Sequence, residues 1–168
     1  MYQVVVQGGL MAAEKSVKIA TANVKNLYIE TARGFRSIIK NMEDLARRGV
    51  RIEILHSGVP SESFLHEMKQ SRLMQTEQFY MRRCPRVHFK LMLIDYQWLY
   101  VGSANFTGAG IGAKSAHRRN FEVGYVTTDT TIIDRVFEPF DRVWNGDECG
   151  PCDRKDSCPV PLEDIKNL

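Results

Sequence analysis

The sequence contains no apolar run approaching the ~18–20 residues that span a bilayer. Its opening residues, MYQVVVQGGLMAAEKS, have no basic leader, and Gln7, Gly8 and Gly9 interrupt their apolar stretch. Neither a membrane anchor nor a secretory signal is expected, which points to the cytoplasm. Charge of one sign is also scarce. Lys and Arg total 23 against 20 Asp and Glu, a formal +3. That is too mild for wholesale wrapping of nucleic acid, so any polyanion site must be a local patch. No internal repeat and no low-complexity tract is present. With 43% hydrophobic and 26% charged residues, global disorder is excluded. The 168 residues suffice for one domain and one core, not for two catalytic domains. Cysteine is limited to Cys84, Cys149, Cys152 and Cys158. In a reducing compartment these call for a role other than disulfides.

What is present is an alternation of strand and helix patterns. Residues 16–23 alternate as a strand, with Val17, Ile19 and Thr21 on one face. Residues 34–48 place Phe35, Ile38, Ile39, Met42 and Leu45 at helical spacing, and Gly49 follows as a stop. Residues 50–55 read as the next strand, and 61–74 as a helix capped by Ser61. Strands are predicted over 76–82, 87–95, 98–103 and 120–127. A helix is predicted over 130–144, with a kink or break at Pro139. This order predicts an α/β fold, a mixed β-sheet flanked by helices.

Chemistry concentrates in Val87–Asp95 and Gly102–Asn105. Side chains alternate along a strand, so His88 and Lys90 share a face, as do Ser103 with Asn105 and Asn120 with Glu122. A neutral His is a nucleophile or general acid–base near pH 7. Lys, Asn and Ser donors suit the non-bridging oxygens of a phosphate. A carboxylate such as Glu122 can hold one imidazole nitrogen. No carboxylate cluster suited to Mg²⁺ is apparent, so phosphoryl transfer without a catalytic metal fits best. By parity, Asp95 points away from His88 and Lys90 and reads as structural.

His88-x-Lys90, four residues, Asp95, six residues, then Gly102-Ser103-x-Asn105 resembles the HKD motif of the phospholipase D superfamily. Asn120-Phe121-Glu122 is similar to that family's downstream N-x-E element. The resemblance implies a phospholipase-D-like α-β-α sandwich over residues 1–146, with 147–168 as a short Cys-rich C-terminal tail. It also implies a two-step mechanism through a phosphohistidine. His88 is the nucleophile or the acid, Lys90 and Asn105 hold phosphate oxygens, Ser103 assists and Glu122 orients His88. Gly102, Asn120 and Asp95 complete the motif. The family mechanism uses two histidines. His56, His66 and His117 lie in no second H-x-K, so a homodimer joining two motifs is expected.

Single-motif members of this superfamily are mostly nucleases. Near the motif lie Arg82, Arg83, Arg86 and Lys90, and then Lys114, His117, Arg118 and Arg119. They form either a basic rim for a nucleic-acid backbone or a solvated charged face. Arg86, Thr107, Arg118 and Arg119 are the candidate substrate-binding residues. Phe79, Tyr80 and Phe106 either stack on bases or belong to the core. The run 107–113 is glycine-rich but matches neither a Walker A loop nor G-x-G-x-x-G. It offers backbone amides to a phosphate or is simply a turn. The alternatives to a nuclease are phospholipase or phosphatidyl transfer on membrane lipid head groups, and a non-catalytic phosphate-binding adaptor. Cys84, Cys149, Cys152 and Cys158 form a candidate tetrahedral set for structural Zn²⁺, with an iron–sulfur cluster as the alternative. The tetrapeptide at 149–152 also looks like a thioredoxin active site, which needs a strand before it and a helix after it.

Overall fold

Continuous runs of Val, Ile and Leu mark strands buried on both faces, and these form the centre of the molecule. In the computed structural model, which describes residues 1–32 and 34–162, β1 (Ser16–Thr21) lies mid-sheet. Beside it are β4 (Arg51–His56) and then β5 (Phe79–Arg83), all parallel. On its other side come β6 (Leu91–Ile94), β7 (Trp98–Gly102) and β8 (Gly124–Thr127), each antiparallel to its neighbour. The order is β5-β4-β1-β6-β7-β8. A separate hairpin, β2 (Tyr28–Thr31) with β3 (Gly34–Ser37), leaves the end of β1.

The period-two alternation divides the core. Val17, Ile19, Ile52 and Ile54 face α1 (Ile38–Arg47) and α2 (Glu62–Gln70). Ala20, Leu55, Leu91, Leu93 and Leu99 face α3 (Thr130–Trp144), whose Ile133, Phe140 and Trp144 are buried. The result is the expected mixed sheet between helical layers. Serine and aspartate caps start the helices. Ser37 Oγ accepts the Ile39 N–H, Ser61 Oγ that of Phe64, and Asp129 those of Thr131 and Ile132.

Four local expectations change. The strand predicted over 120–127 pairs only over β8, so Asn120 and Glu122 lie in the segment before it and not on a strand face. The helix predicted from residue 34 begins at Ile38, because Ser37 caps it and residues 34–37 pair with β2. Phe35, counted on its apolar face, is 74% exposed. The strand predicted over 87–95 is a regular ladder only from Leu91, although the Gly102 N–H still donates to Lys90 O at 3.1 Å. A Cys84–Val87 turn (3.0 Å) at Pro85 keeps the residues before it off the ladder. Finally, α3 runs uninterrupted through Pro139. The proline lies on the exposed side, while burial of Phe140 and Trp144 holds the following turns.

Residues 147–162 follow α3 as successive turns, and Leu162 returns to the α3-side core. The rest of the predicted tail, 163–168, lies outside the described residues. No helix among the described residues is long and apolar enough to cross a membrane.

Candidate active site

The strand directions bring the ends of β1, β4, β5 and β7 and the starts of β6 and β8 to one edge of the sheet. The motif residues gather there. Exposed His88 and half-buried Lys90 precede β6, Ser103 and Asn105 follow β7, and Asn120 and Glu122 precede β8. Lys90 Nζ stands 3.2 Å from both ring nitrogens of His88 and donates to His88 O at 2.9 Å. An ammonium has only donors, so the ring nitrogen that accepts from Lys90 is the one without a proton, which the tautomer decides. Burial holds the Lys90 amine below its ordinary value, and the Glu122 charge opposes that shift.

Glu122 does not take the partner expected of it. Its carboxylate accepts the Ser103 hydroxyl and the Asn120 amide (3.1 Å), and among the described residues it makes no hydrogen bond to His88. Ser103 Oγ also accepts the Val123 N–H at 3.0 Å. Asn105 Oδ1 accepts the Asn23 N–H at 3.2 Å and lies 3.3 Å from Thr21 Oγ1, which ties the site to the end of β1. Gly102 is required by close packing. A Cβ there would fall 2.3 Å from Tyr100 Oη and 2.7 Å from Val123 O. Asp95 sits at the opposite end of β6, in a turn where it and Tyr96 both have positive φ, 54° and 58°.

The basic rim divides. Lys114, His117, Arg118 and Arg119 are exposed beside Asn120. Arg82 is diverted to the α3 face, where its guanidinium lies 4.5 Å from the Trp144 ring and donates to Trp144 O. Arg83 donates to Ser57 O at 2.9 Å, and Arg86 is exposed but reaches the Cys152 thiol. The aromatic candidates are occupied elsewhere. Phe79 and Phe106 are buried in the core, and Tyr80 lies under Arg51 at 4.3 Å. In the glycine-rich segment, the Gly110 N–H donates to Thr107 Oγ1, Ile111 N–H to Thr107 O and Lys114 N–H to Gly108 O. Those amides are spent within the turn rather than presented to a phosphate.

Two residues escaped the sequence reading. His56, at the end of β4, is buried and shares a hydrogen bond between Nδ1 and Gly58 O at 2.8 Å. Its signal, one His at a strand end, has no local pattern. Phe121 is fully exposed between Asn120 and Glu122, with Val123, Tyr125 and Val126 exposed after it on the open edge strand. Strand periodicity alone marks these as half-buried.

The four cysteines line one cleft of about 650 Å³ between α3 and the segment before His88. All are free thiols and half-buried. Burial pushes the Cys84 thiol up, and nearby Cys149 and Cys158 add to that. The Arg154 N–H and then the Arg86 guanidinium draw Cys152 down. The expected zinc or iron–sulfur set is not realised. No group of three or more His, Cys, Asp or Glu among the described residues is placed to hold a metal ion. The turn at 149–152 follows α3 with no strand before it, so the thioredoxin context is missing as well.

Comparisons with known proteins agree with this fold. No curated protein matches the sequence significantly. Among solved structures, the fold is similar to the phospholipase D family member Nuc from Salmonella typhimurium, at TM-score 0.61 and 18% identity over 85% of this chain and 86% of that one. It is also similar to NucT from Helicobacter pylori, at TM-score 0.54 and 21% identity over 80% and 82% of the two chains. TrmBL2, an archaeal chromatin protein, matches at TM-score 0.52 and 14% identity over 85% of this chain and 49% of that one. A family profile described as cardiolipin synthase, PLD-like domain, covers residues 8–144, the span that holds the whole sheet and every motif residue. The chain belongs to the phospholipase-D-like family.

Proposed function

We propose that the protein is a phosphodiesterase that cleaves nucleic acid through a phosphohistidine, as a homodimer and without a catalytic metal. The observation that carries this reading is the meeting of His88, Lys90, Ser103, Asn105 and Glu122 at one sheet edge. It supplies an imidazole, an ammonium and the Asn105 side-chain amide, with Ser103 held on Glu122, groups that suit phosphoryl transfer. His88 attacks phosphorus, and the bond from phosphorus to the leaving oxygen breaks. His88 of the partner subunit gives that oxygen its proton. Water then attacks the phosphohistidine and loses its proton to the partner's His88, and the phosphorus–nitrogen bond breaks. Lys90 and Asn105 hold the non-bridging oxygens throughout.

Two features support the finer parts. One H-x-K per chain makes the site incomplete without a second copy, and the apolar edge at Phe121, Val123 and Tyr125 lies beside Glu122, where a copy would dock. The exposed Lys114, His117, Arg118 and Arg119 give the site's flank the positive charge that a nucleic-acid backbone requires. Both Glu122 oxygens are engaged by Ser103 and Asn120, which suits a carboxylate that positions donors better than one that binds Mg²⁺.

A panel of single- and double-stranded DNA and RNA, phosphatidylcholine and a chromogenic phosphodiester, with His88→Ala as control, tests this reading. Cleavage of nucleic acid that His88→Ala abolishes and EDTA leaves intact supports it. Turnover of the lipid alone, binding without cleavage, or activity persisting in His88→Ala overturns it.

A further inference from the structure

Thr21 ends β1 and is almost wholly buried, at 1% exposure. Its hydroxyl oxygen accepts the Phe106 N–H at 2.9 Å. Its single proton has two acceptors within reach, Asn23 O at 3.0 Å and Asn105 Oδ1 at 3.3 Å. The Asn23 N–H points at the same Asn105 oxygen from 3.2 Å. A main-chain N–H only donates, so the branch of the Asn105 carboxamide facing β1 must be its oxygen. The –NH₂ branch is then turned away from β1, and it makes no hydrogen bond among the described residues.

The surrounding chain holds this arrangement from both sides. The Lys25 N–H donates to Phe106 O at 3.2 Å, and Val24 bridges Phe106 in parallel, so residues 21–25 run beside 105–106. The Gly58 N–H donates to Ala22 O at 2.8 Å, bracing the turn from the β4 side. Gly110 packs so closely on the Asn105 backbone that a Cβ there would lie 2.5 Å from Asn105 O. The last pair of the β1–β6 register sets Ala20 opposite Leu91, so Thr21 follows at the end of the strand where the motif residues gather.

We infer that Thr21 is a positioning residue for phosphate binding: its buried hydroxyl and the Asn23 N–H hold the Asn105 carboxamide with both amide protons toward the anion. Released from this hold, the amide can rotate and present its carbonyl oxygen to a phosphate, where the same group repels instead of binding. The role rests on the phosphodiesterase reading for its catalytic consequence, but not for its anion-binding one.

A double-mutant cycle on the full chain tests the inference. Thr21→Val keeps the shape and removes the hydroxyl, and Thr21→Ser keeps the hydroxyl. Thr21→Val is expected to lower kcat by roughly tenfold or more, with KM moving much less, and Thr21→Ser to recover most of it. In an Asn105→Ala background, Thr21→Val is expected to cost less than about twofold, because the group it positions is gone. An equal loss in both backgrounds, or native turnover by Thr21→Val, overturns the inference. The same cycle read as affinity for inorganic phosphate and tungstate, by backbone amide NMR shifts of His88 and Lys90, which all four proteins retain, needs no turnover. If the native protein cleaves no phosphodiester, the parent reading fails while this arm still decides. Weaker anion binding in Thr21→Val alone supports the inference. No anion binding by the native protein, or unchanged binding in Thr21→Val, overturns it.

Discussion

Asp95 accepts the Ser16 N–H at 2.7 Å and returns its own N–H to Ser16 O at 2.9 Å, so the motif's aspartate fastens the start of β1 at the sheet edge opposite the site. Its carboxylate also accepts the N–H groups of Lys15 at 2.7 Å and Glu14 at 2.9 Å. Burial works against the charged form, and the three N–H donors outweigh it, holding the carboxyl below its ordinary range. Asp95→Ala is expected to cost about 2–3 kcal/mol, a fall in Tm of roughly 5–10 °C. Because the folded pKa is lowered, this stability is present above the unfolded value near 3.8 and lost as pH falls through the folded one. Thermal melts of both proteins from pH 7 to 3 check this. Curves that stay parallel across that range would contradict it.

His56 gives a dependence in a different window. Burial first, and the Arg83 charge beside it, lower its pKa, while the bond to Gly58 O opposes the shift. Its unfolded value is 6.5, so below that pH the unfolded chain binds the proton that the folded one refuses. Stability from this group is therefore complete above pH 6.5 and declines as pH falls toward the folded pKa. Replacing it as His56→Asn is expected to flatten the fall in Tm between pH 7 and 5. An unchanged slope in the variant assigns the effect elsewhere.

Lys18 and Glu53 form an ion pair across β1 and β4 with both side chains buried, and Arg51 Nε donates to Glu53 at 2.7 Å. The Lys18 ammonium lies 5.0 Å from the Phe137 ring centre, 5.5 Å from Tyr96 and 5.6 Å from Phe140. Removing one partner strands a buried charge, so Glu53→Gln is expected to cost about 3–5 kcal/mol. The double change Lys18→Met, Glu53→Leu is expected to recover most of that, because buried pairs are often replaceable by apolar residues. Urea unfolding of the three proteins checks it. A double variant no better than Glu53→Gln would show that Arg51 and the ring cage depend on the pair itself.

The motif was legible because its chemistry is written in fixed short gaps: His88 with Lys90, then Asp95, then Gly102 to Asn105. Ile132 through Trp144 were legible because one apolar stripe recurs at helical spacing, strong enough to carry the helix past Pro139. Relationships set by register were not. Nothing near Lys18 announces Glu53, and nothing near Asn105 announces Thr21, since each pair meets only once β1 is placed between β4 and β6. The hairpin at 28–37 was hidden because Phe35 continues the apolar spacing of α1 yet faces solvent. Cysteine spacing suggested a metal set. The chain does bring all four thiols to one cleft, but proximity to a common space is a weaker condition than a ligand geometry.

Phe121 offers the sharpest test of the assembly. It is fully exposed while its neighbours in the motif hold the site together, and no packing in a single chain explains a phenylalanine there. On a proposed dimer interface its burial would stabilise association by roughly 1.5–3 kcal/mol per protomer, and a charge there would oppose association. Phe121→Glu is expected to shift sedimentation from dimer to monomer and to lower activity steeply at dilute protein. Raising the protein concentration should recover part of that activity, since the lost step is association and not chemistry. At protein concentrations low enough for both proteins to be monomeric, Tm should differ little, because the side chain makes no core contact in the monomer. A variant that sediments as the native protein does and keeps full activity would remove this edge from the interface. A concentration-independent loss would instead place Phe121 in contact with substrate.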